Sequence, residues 1–422
     1  MTTGHLLQNR MLHYVRINWF RFRLLWFVPI VILFGVVLIL VESSQRPPTY
    51  YFDENHYVPA GKMLVYQGED LNPEHPPLGK WIIGWSAIAF GALTKSGLGF
   101  RLPSLLMGLL ALGCLGLLLK RLGFSSHQAL CAVTLGALNG LWFVHAKIAT
   151  LDIYYTALGL GALALAAHRH SIVSIAAFAL ACSTKWSALM YFPILLLMEY
   201  REQRLWGTRA ALKLVAQRGF ALILGAFAVR TFLDVVLYRR FSLGWVVREF
   251  NLNVDIRNSI AHPYETSFWQ WPFMLRPIWF HHDTISADAV TGVWAGGNPF
   301  IWALALLAFI GLLVTLKRGR LRGVFFTRIM LLVGFTAPLW FWGFAPAHAQ
   351  YFYYFLPGSL WAGPLIVFGI TRIVRHERAA QYVLTLTLLA SALVFFYFLP
   401  VFSNWPLTPE ALRSRMWFES WI

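Results

Sequence analysis

Tyr50-Tyr51-Phe52-Asp53-Glu54-Asn55-His56-Tyr57, followed by Glu74-His75-Pro76-Pro77-Leu78-Gly79-Lys80, forms an acidic, aromatic and proline-rich island between apolar segments. Carboxylates are scarce in this chain: it has 18 Asp and Glu in 422 residues, and six of them fall between Glu42 and Glu74. Charge beside a bilayer is costly to hold, so the concentration points to binding or chemistry, with an ordinary solvated loop as the alternative. Asp53 and Glu54 are adjacent and do not face one another in either regular structure. One can face a cavity while the other braces the loop. Pro76 and Pro77 restrict the backbone and can hold the loop rigid against the membrane.

The flanks decide the fold class. Mean hydropathy is +0.59, 58% of residues are hydrophobic and 13% are charged, which excludes a soluble globular domain. Apolar stretches long enough to cross the hydrocarbon core recur along the chain. The expected spans are 24-41, 103-119, 129-146, 151-167, 171-183, 187-199, 219-238, 300-316, 327-344, 352-371 and 381-399. The first reads as a retained transmembrane helix, since it is too long for a signal peptide and lacks a small-residue cleavage site.

A net charge of +17 would suggest nucleic acid in a soluble protein. Here the basic residues cluster in short gaps, Arg10 to Arg23, Arg201 to Arg218, Lys317 to Arg328 and Arg372 to Arg378. That is the positive-inside signature of membrane orientation, with no nucleic-acid partner implied. Placing these gaps in the cytoplasm puts the aromatic-rich loops 42-102 and 239-299 outside. The parity works with a cytoplasmic N-terminus if the short apolar segment 81-94 is interfacial or re-entrant. The expectation is an all-α polytopic membrane protein with about eleven spans, an external C-terminus and a single membrane domain over 1-422. The loop 239-299 has room for small amphipathic helices on the membrane face. Cys114, Cys131 and Cys182 all fall in apolar stretches, which fits small buried hydrophobes rather than a disulfide framework or zinc cluster.

Several polar residues stand at predicted helix mouths. Arg101, before Leu102-Pro103-Ser104, can clamp a phosphate with its forked donors or snorkel to anchor a helix end. Asp152 opens another span near His145 and Lys147, where a helix-terminal contact and a catalytic role both fit. Lys185-Trp186 lies at a turn between two short spans, suited to phosphate binding or interface anchoring. The second loop carries His262-Pro263-Tyr264-Glu265 and the run Trp269 to Trp279, which includes Arg276. His262, Glu265 and Arg276 among these aromatics suit a sugar and phosphate site, and interfacial enrichment also explains the tryptophans. The stretch Gln350-Tyr351-Phe352-Tyr353-Tyr354 either borders a lipid cavity or anchors at the interface. His281-His282-Asp283 marks no third ligand, so no metal is expected.

Taken in order, Phe52 to Tyr57, His75 to Lys80, Arg101 to Ser104, Leu151-Asp152, Ser183-Thr184-Lys185-Trp186-Ser187, His262 to Ser267 and Trp269 to Trp279 resemble the protein O-mannosyltransferase family. That family belongs to the GT-C class of membrane glycosyltransferases, and the resemblance covers roughly residues 24 to 360. It implies a GT-C fold and transfer of a sugar, often mannose, from a polyprenyl phosphate to Ser or Thr hydroxyls outside the cytoplasm. The lipid-linked sugar is a substrate, and no cofactor is implied. By resemblance, Asp53 takes the catalytic position and Glu54 that of the neighbouring acceptor-side acid. Arg101 and Lys185 fall where basic groups hold the lipid phosphate, and His262, Tyr264 and Arg276 lie where donor contacts are expected. His75 and Asp152 complete the substrate-binding set. Larger eukaryotic relatives carry a lumenal β-trefoil insertion that this chain has no room for. The compact form suggests a bacterial inner-membrane protein with its catalytic loops facing the periplasm or cell exterior.

The expected reaction is inverting. A single base, Asp53, takes the acceptor proton, and the phosphate is already an activated leaving group, so the paired carboxylates of a glycosidase are unnecessary. The acceptor is a secreted or membrane protein, or alternatively lipid A or another envelope glycan. A transporter is the non-enzyme alternative, opposed by the clustering of polar chemistry in loops and the lack of inverted halves.

Overall fold

The computed structural model describes residues 25-91, 96-203, 207-239, 241, 243-257, 263-316, 322-344 and 349-422. The apolar segments fold largely as helix, but among the described residues five helices are long and apolar enough to cross a membrane, or seven if each bent pair is one span, against the eleven expected. α1 (Leu25–Ser43) is an apolar 19-residue helix. The acidic island then forms α2 (Glu54–Gln67), which ends where Gly68 adopts a left-handed conformation (φ 71°), and α3 (Leu78–Gly91) follows. These two helices touch at the backbone. A Cβ on Gly84 would lie 2.2 Å from the Gly61 carbonyl, and one on Gly61 would lie 2.1 Å from the Lys80 oxygen. The 14 residues of α3 extend about 21 Å, less than the ~30 Å hydrocarbon core.

α4 (Leu98–Arg121) is the long helix that follows. The segment 129-146, expected as one span, is a bent pair: α5 (Ser126–Ala137) and α6 (Gly140–Lys147) meet at 69°. Asn139 sits at the bend and caps α6 by accepting from the Leu141 N–H, which satisfies one of the donors freed by the break. α7 (Leu151–Ala167) and α8 (Ser171–Cys182) are shorter apolar helices. A 3-10 turn, Trp186–Tyr191, then runs into α9 (Phe192–Gln203). α10 (Thr208–Tyr238) has 31 residues and leads to α11 (Trp245–Arg257).

The second loop differs from the expectation of helices alone. Besides α11 and a 3-10 turn, Phe268–Phe273, it folds an antiparallel hairpin of β1 (Ile278–Ser286) and β2 (Ala289–Ala295). The register pairs Ile278 with Ala295, His282 with Gly292 and Ser286 with Ala289, leaving a two-residue turn at Ala287-Asp288. β-branched and aromatic residues favour the pleated form. Burial of Ile278, Phe280, Val293 and Trp294 provides the gain that a bare hairpin lacks. Trp294 stacks on Phe398 and Phe402, at centroid distances of 5.7 and 6.1 Å.

α12 (Pro299–Thr315) and α13 (Arg322–Phe344) follow. The 3-10 turn Phe352–Phe355 runs into α14 (Leu356–Ser359), which bends by 46° against α15 (Ala362–Ile373). α16 (Glu377–Ser403) and the short α17 (Pro409–Arg413) complete the order. One cluster of buried apolar side chains extends from Val36 to Trp421. The three cysteines are unpaired within or beside it.

Candidate active site

The backbone turn at Phe52 sends two adjacent carboxylates into different surroundings. Phe52 holds φ of 51°, a left-handed value that costs a bulky side chain energy. Its ring stacks on Phe280 of β1 at 3.9 Å and meets Tyr353 edge-on at 5.7 Å. The hairpin thereby fixes the start of α2.

Glu54 turns inward and is fully buried. Its oxygens accept from Arg101 Nε at 2.7 Å and Nη2 at 2.8 Å, and Oε1 also accepts from the Ala149 N–H at 2.9 Å. Arg101 donates further to the carbonyls of Ser44 (3.2 Å), Pro47 (2.7 Å) and Thr49 (3.1 Å). A guanidinium has five N–H donors, and all are spent on protein. Arg101 was expected to face a phosphate; the structure gives it this closed set of partners instead, tying α4 to the loop that carries Asp53.

Asp53 sits at the N-terminal boundary of α2, half-buried, and caps no helix N–H with its side chain. Its carboxyl accepts from the Tyr57 hydroxyl, and its charged neighbours are Lys185, Asp152 and His56. Burial pushes its pKa up to about 6; Lys185 opposes this and Asp152 reinforces it. Although part of its surface is accessible, protein surrounds it, as for a carboxyl on the floor of a cleft. Burial, followed by the nearby Asp53 charge, holds the Tyr57 hydroxyl well above its ordinary pKa, so it remains a donor.

Opposite lies a second pair. Lys185 Nζ donates to both oxygens of Asp152, at 2.9 and 3.0 Å, with both side chains almost wholly buried. The ammonium also lies 5.1 Å from the ring centroid of Tyr354 and 5.8 Å from that of Tyr353. Asp152 is in the first turn of α7, where the helix dipole favours an anion. The hydroxyls of Ser183 and Thr184 bond back to the carbonyls of Ala179 and Leu180, and the chain then extends at Lys185. The Leu78 N–H donates to Ser183 O at 3.1 Å, joining the two-proline loop to this turn. A Cβ on Gly79 would lie 2.6 Å from Leu151 and 2.9 Å from Thr184, so a side chain there would wedge the elements apart.

The remaining candidates surround this centre. His75 lies 6.0 Å from the Tyr57 ring, and its carbonyl accepts from Lys80 Nζ at 2.8 Å. Lys80 also donates to Asp70 at 2.6 Å and to the Asn72 carbonyl, which clamps the loop from below. Arg276 Nε donates to Pro263 O at 2.9 Å and its guanidinium covers Tyr264 at 5.7 Å. These two residues pair with each other inside the second loop. His262 lies outside the described residues. Tyr351 feels the charges of both Glu265 and Asp53, so the tyrosine run bridges the second loop to the centre. Tyr57, Tyr353 and Tyr354 were absent from the site expected from sequence, although the run Tyr351 to Tyr354 was a visible signal. Among the described residues, no three His, Cys, Asp or Glu side chains gather as metal ligands.

A half-buried carboxyl with a raised pKa, a lysine among its charged neighbours and a wall of tyrosines at the ends of apolar helices suit group transfer at a membrane surface. Similar proteins share this architecture. The protein O-mannosyltransferase complex of S. cerevisiae bound to its sugar donor superposes with TM-score 0.74 at 13% identity, covering 94% of this chain and 92% of that one. ArnT from Cupriavidus metallidurans, bound to undecaprenyl phosphate, superposes with TM-score 0.55 at 18% identity, over 84% of this chain and 62% of the other. The molecule is a polytopic membrane glycosyltransferase of the GT-C fold. Residues 241-421 match the model for the C-terminal four-transmembrane region of protein O-mannosyltransferase. The polyprenol-phosphate-mannose–protein mannosyltransferase of Mycobacterium tuberculosis is 27% identical, with 88% of this chain and 87% of that protein aligned. Over its C-terminal part and along most of its length, the chain is thus similar to protein O-mannosyltransferases.

Proposed function

We propose that this protein transfers mannose from a polyprenyl phosphate to a Ser or Thr hydroxyl of a protein at the external face of a bacterial inner membrane. The observation that carries this reading is Asp53, half-buried with a raised pKa beside the Lys185–Asp152 pair. Transfer is a single displacement. The acceptor oxygen bonds to the anomeric carbon as the bond from that carbon to the phosphate oxygen breaks, which inverts the anomeric centre. The acceptor proton passes to the Asp53 carboxylate, and polyprenyl phosphate departs. A base with pKa near the working pH is both present as carboxylate and strong enough to take a proton.

Lys185 stabilises the charge that grows on the departing phosphate. Two of its three N–H groups serve Asp152, which orients the ammonium, and the third serves the ligand. This supplies the positive charge without a divalent cation. Tyr57 holds the Asp53 carboxylate in line. Glu54 and Arg101 act by fixing the loop, because every donor of Arg101 is already engaged. Tyr264, Arg276 and His75 border the donor and acceptor path.

The test is transfer from radiolabelled polyprenyl-phosphate mannose by purified protein, with membrane extract as acceptor. Label in protein that vanishes in Asp53→Asn is the expected result. Label confined to extracted lipid would move the acceptor to an envelope lipid or glycan. Flux of donor without any transfer would overturn the reading.

A further inference from the structure

α4 joins two chemically different ends of the molecule. Arg101 in its first turn holds the loop of Asp53, while Arg121 is its last residue, about 30 Å further along at 1.5 Å per residue. At that far end a cavity of about 460 Å³ opens between the ends of five helices. Arg121 of α4, Gln128 of α5, Arg201 of α9, Thr327 of α13, and Thr371 and Arg372 of α15 line it, and among the described residues no carboxylate does.

Among the described residues the three arginines make no hydrogen bond or ion pair. Arg201 stacks on Phe326 at 4.2 Å and Arg372 on Phe368 at 4.9 Å, which orients the planar groups and leaves their N–H edges free. Among the described residues none of the three has a carboxylate partner. Glu199 and Glu202, which line the adjoining cavity, have other partners: Glu202 pairs with Arg169 at 3.0 Å and Glu199 faces Arg218 at 4.0 Å. An adjoining cavity of about 380 Å³ shares Arg121 and Arg201. Orientation rules account for basic residues at this level of the bilayer, but not for three guanidiniums without a partner among the described residues lining one concavity. Beside it, Phe325 and Ile373 expose 41% and 82% of their surface, an apolar border suited to acyl chains.

We propose that this cavity binds the phosphate headgroup of an anionic membrane lipid, with Arg121, Arg201 and Arg372 as its ligands, on the face opposite the candidate active site. Forked guanidinium donors match phosphate oxygens, and the position at helix ends is headgroup depth. The inference is independent of the transfer reaction.

The test is thermal unfolding of the full chain in detergent, titrated with phosphatidylglycerol, phosphatidylcholine or inorganic phosphate. Phosphatidylglycerol raises the unfolding midpoint saturably and phosphatidylcholine does not. The variant Arg121→Gln/Arg201→Gln/Arg372→Gln weakens this response by about tenfold or more. A charge-matched variant, Arg209→Gln/Arg375→Gln/Arg378→Gln, removes exposed arginines outside the cavity lining and keeps the response. Arg372→Gln alone is measured alongside, since an exposed position tolerates substitution. Protection by inorganic phosphate that disappears in the cavity variant would support the phosphate site and assign a free anion as its source. Equal loss in both triple variants, or no loss in either, would overturn the proposal.

Discussion

Arg101 and Glu54, 47 residues apart in sequence, meet as a two-pronged pair at 2.7 and 2.8 Å, both without solvent exposure. The pair fastens the acidic loop to the first turn of α4, and so sets where Asp53 stands. Removing one partner leaves a buried charge uncompensated, at a cost of about 3–5 kcal/mol. Arg101→Ala therefore lowers the thermal unfolding midpoint and the yield of folded protein. An unchanged midpoint with a raised KM for donor would return Arg101 to the phosphate.

Asp53→Asn keeps the shape of the carboxyl and removes the base. Transfer falls about 10²- to 10⁴-fold, while binding of the lipid donor stays near wild type. Equilibrium binding with labelled donor, set beside initial rates, separates the two effects. A variant that transfers at the wild-type rate would end the assignment of Asp53 as base.

The raised pKa of Asp53, about 6, sets an acid limb in the rate profile. Below that pH the group is protonated and cannot accept a proton, so kcat/KM declines as pH falls through 6. Lys185→Met moves the limb to higher pH, because the lysine opposes the rise; Asp152→Asn moves it lower, because that carboxylate promotes it. For stability the sign is opposite to that of a salt-bridged carboxylate. The protonated form is favoured by folding, so this contribution is fully present below the unfolded pKa and is lost as pH rises through about 6. Rate profiles of the wild type and both variants check the shifts.

Gly84→Ala tests the contact between α2 and α3 without touching a polar group. The added methyl would meet the Gly61 backbone at 2.2 Å, and the backbone cannot yield as a flexible side chain would. The expected cost is about 1–3 kcal/mol or more, with activity lost through displacement of the loop. Gly91→Ala, where nothing lies within 4 Å of the new Cβ, serves as the comparison and retains activity.

The sequence by itself determined the apolar helical segments, though not which of them are long enough to span, together with the acidic loop and the candidate residues Asp53, Asp152 and Lys185. Apolar runs of membrane length have few alternatives to helix, since lipid offers backbone groups no partners. Adjacent carboxylates in a charge-poor chain are visible without coordinates. The sequence also showed the tyrosine run Tyr351 to Tyr354, but not what it faced.

Only tertiary structure decided which polar residues meet. Lys185 reaches Asp152 across 33 residues, and Arg101 turns to Glu54 rather than to open space. Such pairings depend on helix ends brought together by packing, which no local pattern encodes. The hairpin at Ile278 to Ala295 was hidden for a related reason. Its strands are stabilised by burying Trp294 on α16, a contact between distant segments that outweighs local preference.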